Sequence, residues 1–142
     1  MEFEKLTIEE EEFAQQIIKT IPFVELLGIK LVEIERGSAV CLLTLTDKHM
    51  RGGGFLHGGV TASLIDTATA FAVGSILGTP ANAVTVDLTV HYLRPILREA
   101  TAKARVLRAG NRLLTVSAEV FDEMGELAAT ALTTYSRINL TK

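Results

Sequence analysis

Residues 57–77 read HGGVTASLIDTATAFAVGSIL. From Gly59 onward the segment has the length of a long helix. Its apolar residues Val60, Leu64, Ile65, Phe71, Val73, Ile76 and Leu77 fall on several faces. A helix that is apolar nearly all round has to be enclosed, either by other structure or by lipid. Between Gly59 and Leu77 six residues are Asp, Ser or Thr, and no basic residue flanks the run. The stretch therefore reads as the buried helix of a folded protein and not as a membrane span. What can surround such a helix decides the fold.

The flanks supply the answer. Upstream, Thr7 and Glu10 fit a capping box, and Phe13, Ala14, Ile17 and Ile18 share one face, which predicts a helix over about residues 8–19. The glutamates after Ile8 read as a solvated first turn, favourable to the helix dipole. Pro22 interrupts the pattern, FVELLG adds one or two turns, and Gly28 closes them. From Ile29 the period becomes that of strands: IKLVEIE and AVCLLTLT, parted by the hairpin signal RGS. A charged, glycine-rich loop, DKHMRGGGFLHGG, leads into the long helix, and Gly52 to Gly54 read as flexible loop. Beyond the GTP that ends the helix come AVTVDLTVHYLRP, ATAKARVLRAG, RLLTVSAEVFD and LAATALTTYSRI. Short turns at Arg98–Glu99, Gly110–Asn111 and Glu123–Gly125 separate these four strands. A sheet of six antiparallel strands must bury one face, and the central helix is the only element apolar enough to cover it. The expected architecture is α+β: a curled sheet wrapped around one helix, in a single domain 1–142. Residues 1–27 form its helical preface and 28–140 its core.

Composition limits the function. With 142 residues the chain can bury a sizeable core without disulfide or metal staples. A net charge of −3 is not the surplus of cations that a nucleic-acid footprint needs. The single cysteine, Cys41, lies in an apolar run and reads as a small core residue. Together with the acidic N-terminus it sets the expectation of a reducing, cytoplasmic location.

Between Arg51 and Asp87 the only formal charge is Asp66. An ionised carboxylate in an enclosed apolar helix is costly unless it is paired or hydrogen-bonded. It is read as a general base or nucleophile, against the plainer reading of a satisfied polar anchor. His57 precedes Gly58–Gly59 at the helix N-terminus, where backbone N–H groups suit a carbonyl oxygen that becomes an oxyanion. Eight residues of helix separate Gly58 from Asp66, about 12 Å. One chain's pair therefore cannot serve one substrate, whereas two such helices packed antiparallel place each Asp66 opposite the partner's Gly58. That geometry implies a homodimer with composite sites. Other chemistries fit less well. The glycine run lacks the Lys-Ser/Thr ending of a P-loop. His49, His57 and His91 do not stand at metal-ligand spacing. A Ser–His–Asp triad remains open, although no nucleophile-elbow pattern occurs.

The stretches LHGGVTASLIDTATAFA, VTVDLTVHYLRPI, GNRLL and GELAATALTTY resemble the hotdog-fold acyl-CoA thioesterases of the PaaI-like and THEM2-like branch, over about residues 22–138. The resemblance implies a hotdog fold, dimers that pair into homotetramers, and metal-free hydrolysis of acyl-CoA, with coenzyme A as part of the substrate and no separate cofactor. By position it makes Asp66 the base or nucleophile and Gly58 the oxyanion donor of the other subunit. His57 then positions the carbonyl, with Gly59 beside it, and Thr85 orients the attacking water. Arg94, Arg98 and Arg112 become candidate contacts for CoA phosphates.

One departure stands out. The family commonly has Asn six residues before the HGG histidine, and this chain has Arg51. Arginine is donor-only. It can donate to the thioester carbonyl, pair with Asp66 across the dimer, or bind a CoA phosphate. The departure motivates a rival reading as a non-catalytic acyl-CoA-binding protein. A hydratase of related fold, acting on enoyl-CoA, is a third reading.

Overall fold

The computed structural model describes residues 2–138, so the expected core boundary at residue 140 lies outside the described residues. Helix α1 spans Ile8–Ile18 and begins with the expected capping box. The Glu10 backbone N–H donates to Thr7 Oγ1 (3.1 Å), and the Thr7 N–H donates to Glu10 Oε2 (2.8 Å). Helix α2 (Pro22–Leu27) starts on its proline and ends at Gly28, whose φ of 79° is the left-handed value that favours glycine. Strands β1 (Lys30–Glu35) and β2 (Ser38–Thr44) form the first hairpin. Helix α3 runs unbroken from Gly58 to Leu77. Strands β3 (Ala83–Tyr92), β4 (Glu99–Ala109), β5 (Leu113–Phe121) and β6 (Leu127–Arg137) follow.

The strands form one antiparallel sheet of six in the order β1-β2-β4-β5-β6-β3. Alternation places Leu114, Val116, Ala118 and Val120 of β5 inside, with Thr115, Ser117 and Glu119 between them. The inner face of β4 is Ala100, Ala102, Ala104 and Val106. These small side chains let the helix approach the middle of the sheet closely, while Leu64, Ile65, Phe71 and Val73 of α3 fill the remaining space. By length and composition α3 could cross a membrane, but more than half of it is buried inside the sheet. Cys41 is fully enclosed on β2, and burial pushes its thiol up to about 12.

Two hairpin turns stand where expected, at Gly110–Asn111 and Glu123–Gly125. The third does not. The segment before Glu99 is a crossover and not a hairpin, because β3 pairs with β6 at the far edge and β4 pairs with β2 and β5. Residues 93–98 are tied across that gap: Leu56 N–H donates to Ile96 O (2.9 Å), Leu45 N–H to Arg98 O (2.9 Å), and Arg98 N–H to Glu123 Oε1 (2.6 Å). Hydrophobic alternation marks a strand but carries no information about which neighbour it pairs with.

The two sheet edges differ. The β1 edge is covered by α1, whose Gln15 Nε2 donates to Leu31 O (2.9 Å), and Glu33 and Glu35 lie exposed along it. Arg36 secures the cover. Its guanidinium donates to both Glu10 carboxylate oxygens, to Glu4 O and to Ser75 O. The Thr7 N–H first, then Arg36, hold the Glu10 carboxyl below the usual carboxylate range. Among the described residues nothing covers the β3 edge in this way, and Val84, Val86 and Tyr92 are exposed along it.

Gly74 in α3 permits the chain to turn back after the helix, since a Cβ there would lie 2.6 Å from Pro80 N. Gly74→Ala is expected to destabilise by about 1–3 kcal/mol, against the helix-propensity gain of about 1 kcal/mol, because backbone atoms cannot yield. Urea denaturation of the two proteins measures the sign.

Candidate active site

The N-terminus of α3 leaves one amide free. Val60 and Thr61 N–H groups both reach His57 O (2.9 and 3.3 Å), and the Gly59 N–H donates to His57 Nδ1 (2.9 Å). His57 is thus the N-cap residue. Its Nδ1 is an acceptor, so the neutral ring carries its proton on Nε2, as an outward donor. Of the first four helix amides, only Gly58 N–H has no partner among the described residues, and this is where an oxyanion can be held. The sequence pairs Gly58 with Gly59 as donors; the structure commits Gly59 to the histidine ring. Tyr92 lies over Gly58, donating its hydroxyl to Gly58 O (2.7 Å), and its ring stands 3.3 Å from where a Cβ would be.

Asp66 lies farther along the same helix, half-buried. Thr85 Oγ1 on β3 donates to Asp66 Oδ1 (2.8 Å), so these two expected residues are in direct contact. Tyr135 on β6 brings its hydroxyl to 3.1 Å from the same oxygen and to 2.9 Å from Asp66 O. Because α3 is continuous, Gly58 and Asp66 stay about 12 Å apart. Both face β3, Gly58 through Tyr92 and Asp66 through Thr85, and so both lie along the uncovered edge.

The loop before α3 is a closed turn, not the open segment its glycines suggest. Arg51 N–H donates to Phe55 O (2.8 Å), Met50 bridges Leu56, and Gly53 and Gly54 take φ values of 104° and 82°. Buried His49 anchors it: Nδ1 accepts from Thr46 N–H (2.9 Å), Nε2 donates to Leu27 O (2.8 Å), and its carbonyl accepts from His57 N–H (2.9 Å). Arg51 sits 5.8 Å from the Phe55 ring centroid. It lines a cavity of about 330 Å³ together with Phe55, Gly58, Tyr92, Arg94 and Ile96. Arg94 is loosely paired there with Asp122 and Glu126, each at 3.9 Å. Arg98 and Arg112 are exposed and line no part of that cavity. Arg112 belongs to the other end of β3, since its carbonyl accepts from Arg137 N–H and Arg137 pairs with Ala83. Within one chain Arg94 and Arg112 are not brought together.

Both of the chain's tyrosines place their hydroxyls on α3, and sequence reasoning passed over both. A signal existed for Tyr135. Alternation along β6 puts it on the inner face with Ala131 and Thr133, and a phenol buried there needs a polar partner on the helix.

A carboxylate and a bare helix-start amide are groups that acyl transfer can use, and a six-stranded sheet curled around one long helix is the hotdog fold. Comparison with known proteins agrees. The family model of the thioesterase superfamily matches residues 53–129. The chain is 30% identical over 123 residues to acyl-coenzyme A thioesterase 13 of Homo sapiens, covering 83% of this chain and 86% of that protein. It is 32% identical over 139 residues to the medium/long-chain acyl-CoA thioesterase YigI of Salmonella typhimurium, covering 85% and 88%. Among solved structures, the E. coli PaaI protein from the phenylacetic acid degradation operon superposes with a TM-score of 0.84 at 27% identity, covering 92% of this chain and 94% of that one. The chain belongs to the thioesterase superfamily, among the PaaI-like hotdog proteins, and is a thioester hydrolase.

His57→Ala removes the cap on Gly59 and is expected to cost about 1 kcal/mol. A shift in the urea midpoint at unchanged m-value checks it.

Proposed function

We propose that this thioester hydrolase is an acyl-CoA thioesterase, acting as a homodimer in which each site takes Asp66 from one subunit and the Gly58 N–H from the other. The observation that carries the reading is the pairing of one free amide and one carboxylate on an unbroken helix, both beside an uncovered sheet edge. A strand edge with exposed Val84 and Val86 invites a second β3, and antiparallel pairing there aligns the two α3 helices head to tail. The same pairing carries Arg112 of each chain toward Arg94 of the other, which supports phosphate binding shared across the interface. Arg51, in the Gly58 cavity, is placed for the carbonyl, for a CoA phosphate or, across the dimer, for the partner's Asp66. Arg98 is a weaker phosphate candidate. A dimer of dimers and a cytoplasmic setting complete the proposal, and coenzyme A enters as substrate, with no separate cofactor.

In this mechanism the Gly58 N–H holds the thioester oxygen, with His57 Nε2–H beside the entry. Asp66 takes a proton from water as the water oxygen bonds to the carbonyl carbon, or attacks that carbon itself. Collapse of the tetrahedral adduct breaks the C–S bond, and the thiolate of CoA leaves and takes up the proton that Asp66 took from water. On the nucleophilic route collapse leaves a mixed anhydride on Asp66, which a water hydrolyses, restoring the carboxylate and releasing the acid and the proton that the thiolate takes. Thr85, held on Asp66 Oδ1, fixes the carboxylate that performs the first step.

Free-thiol release across a panel of acyl-CoAs should fall at least about 10²-fold in Asp66→Ala. Tight binding of the ester without turnover by wild type would instead favour the binding-protein reading. Gly58→Pro deletes the amide at a helix position that accepts proline, after an extended His57 (ψ 132°). It should lose about 10²–10³ in kcat. Reassorting the two inactive variants should restore about a quarter of wild-type turnover, since half the dimers are mixed and each of those keeps one intact site. No recovery on mixing, or a fully active monomer in sedimentation, would rule out the composite site.

A further inference from the structure

The two carboxylate oxygens of Asp66 are not equivalent. Oδ1 has two hydroxyls on it, Thr85 Oγ1 at 2.8 Å and Tyr135 Oη at 3.1 Å. Oδ2 has no hydrogen bond among the described residues. Among the described residues no buried side-chain oxygen or nitrogen lacks a partner, so the free Oδ2 reaches solvent. No cation stands within ion-pair distance of Asp66 among the described residues of the single chain. Within it, the charge rests on hydroxyls contributed by β3 and β6.

Tyr135 is only 2% exposed, and burial first, then the Asp66 charge, push its hydroxyl above the usual tyrosine range, so it stays a donor. It has one proton and three acceptors in reach: Asp66 O (2.9 Å), Asp66 Oδ1 (3.1 Å) and Thr69 Oγ1 (2.9 Å). Thr69 can spend its own proton on Ile65 O at 2.8 Å. The geometry assigns Tyr135 as a positioning residue that, with Thr85, holds Oδ1 of Asp66 and leaves Oδ2 as the oxygen that meets the water or the thioester carbon. This rests on the thioesterase reading above. When Asp66 is charged, the Tyr135 proton turns to Oδ1. When Oδ2 takes a proton, it can turn to Asp66 O or Thr69 Oγ1 with no movement of heavy atoms. The family match ends at residue 129, before Tyr135.

Tyr135→Phe keeps the ring in its place and removes only the hydroxyl, leaving no donor orphaned because Thr69 still has Ile65 O. Circular dichroism and the unfolding midpoint confirm that the variant is folded. Two readouts then apply. In protein carrying 13C-labelled aspartate, the acid titration midpoint of the Asp66 carboxyl resonance should rise by about half a pH unit or more in Tyr135→Phe, because a donor to the charged form is gone. Thr85→Val should move it the same way. In the thiol-release assay kcat should fall about 10-fold with KM within about twofold, and the acid limb should follow the resonance. A titration midpoint that does not move in Tyr135→Phe overturns the assignment, whatever the turnover. If Asp66→Ala is inactive while Tyr135→Phe matches wild type in both readouts, only the role of Tyr135 falls. If wild type releases no thiol, the thioesterase reading falls, and the resonance still decides whether Tyr135 supports the Asp66 charge.

Discussion

The structure depends on enclosing a helix that has almost no polar face. The 20 residues of α3 need apolar surface on nearly every side, and a twisted antiparallel sheet of alanine-rich inner strands supplies it by curling. Leu64, Ile65, Phe71 and Val73 each bury essentially their whole side chain, worth about 1.5–3 kcal/mol apiece. The remaining side of the helix is where the curl stops at β3, and the polar residues of the site gather there. The candidate site thus lies where the wrap is incomplete.

Asp66 shows how this constraint is met. A carboxylate on an otherwise apolar helix needs donors, and the sheet edge provides Thr85 and the buried strand beside it provides Tyr135. Both are neutral hydroxyls, which satisfy one oxygen without neutralising the charge. An arginine in their place would hold the carboxylate more tightly and leave it a poorer base. At the other end, His57 spends its ring on Gly59 and so isolates a single amide at Gly58. The same contrast separates the two edges of the sheet. Gln15 and the Arg36–Glu10 pair close β1 against further pairing, whereas β3 keeps exposed valines.

Much of this was legible in the residues. The capping box at Thr7, the Gly28 stop, the strand periods and the enclosed helix all follow from local chemistry, and the structure places them within three residues of expectation. The contact between Thr85 and Asp66 was anticipated only as a role near water. Three features were not legible. The β3–β6 pairing joins segments about 45 residues apart, so the short turn expected at Arg98–Glu99 carries no sign that the chain crosses over there. The glycines after Arg51 suggested an open loop, but His49 and the Arg51–Phe55 bond close it. The Tyr135 hydroxyl reaches Asp66 from 69 residues away, a distance over which no spacing rule operates.

The sequence by itself determined which segments fold, which face of each is apolar, and that one acid and one glycine-start helix are the candidates for the chemistry. Those properties are local, set by side-chain periodicity and backbone capping over a few residues. Only the tertiary structure decided that β3 ends the sheet uncovered, that Gly59 is occupied while Gly58 is free, and that Asp66 presents one oxygen and has the other held. Each of these depends on atoms brought together by packing from distant parts of the chain. Periodicity specifies a face, but hydrogen-bond geometry specifies an atom.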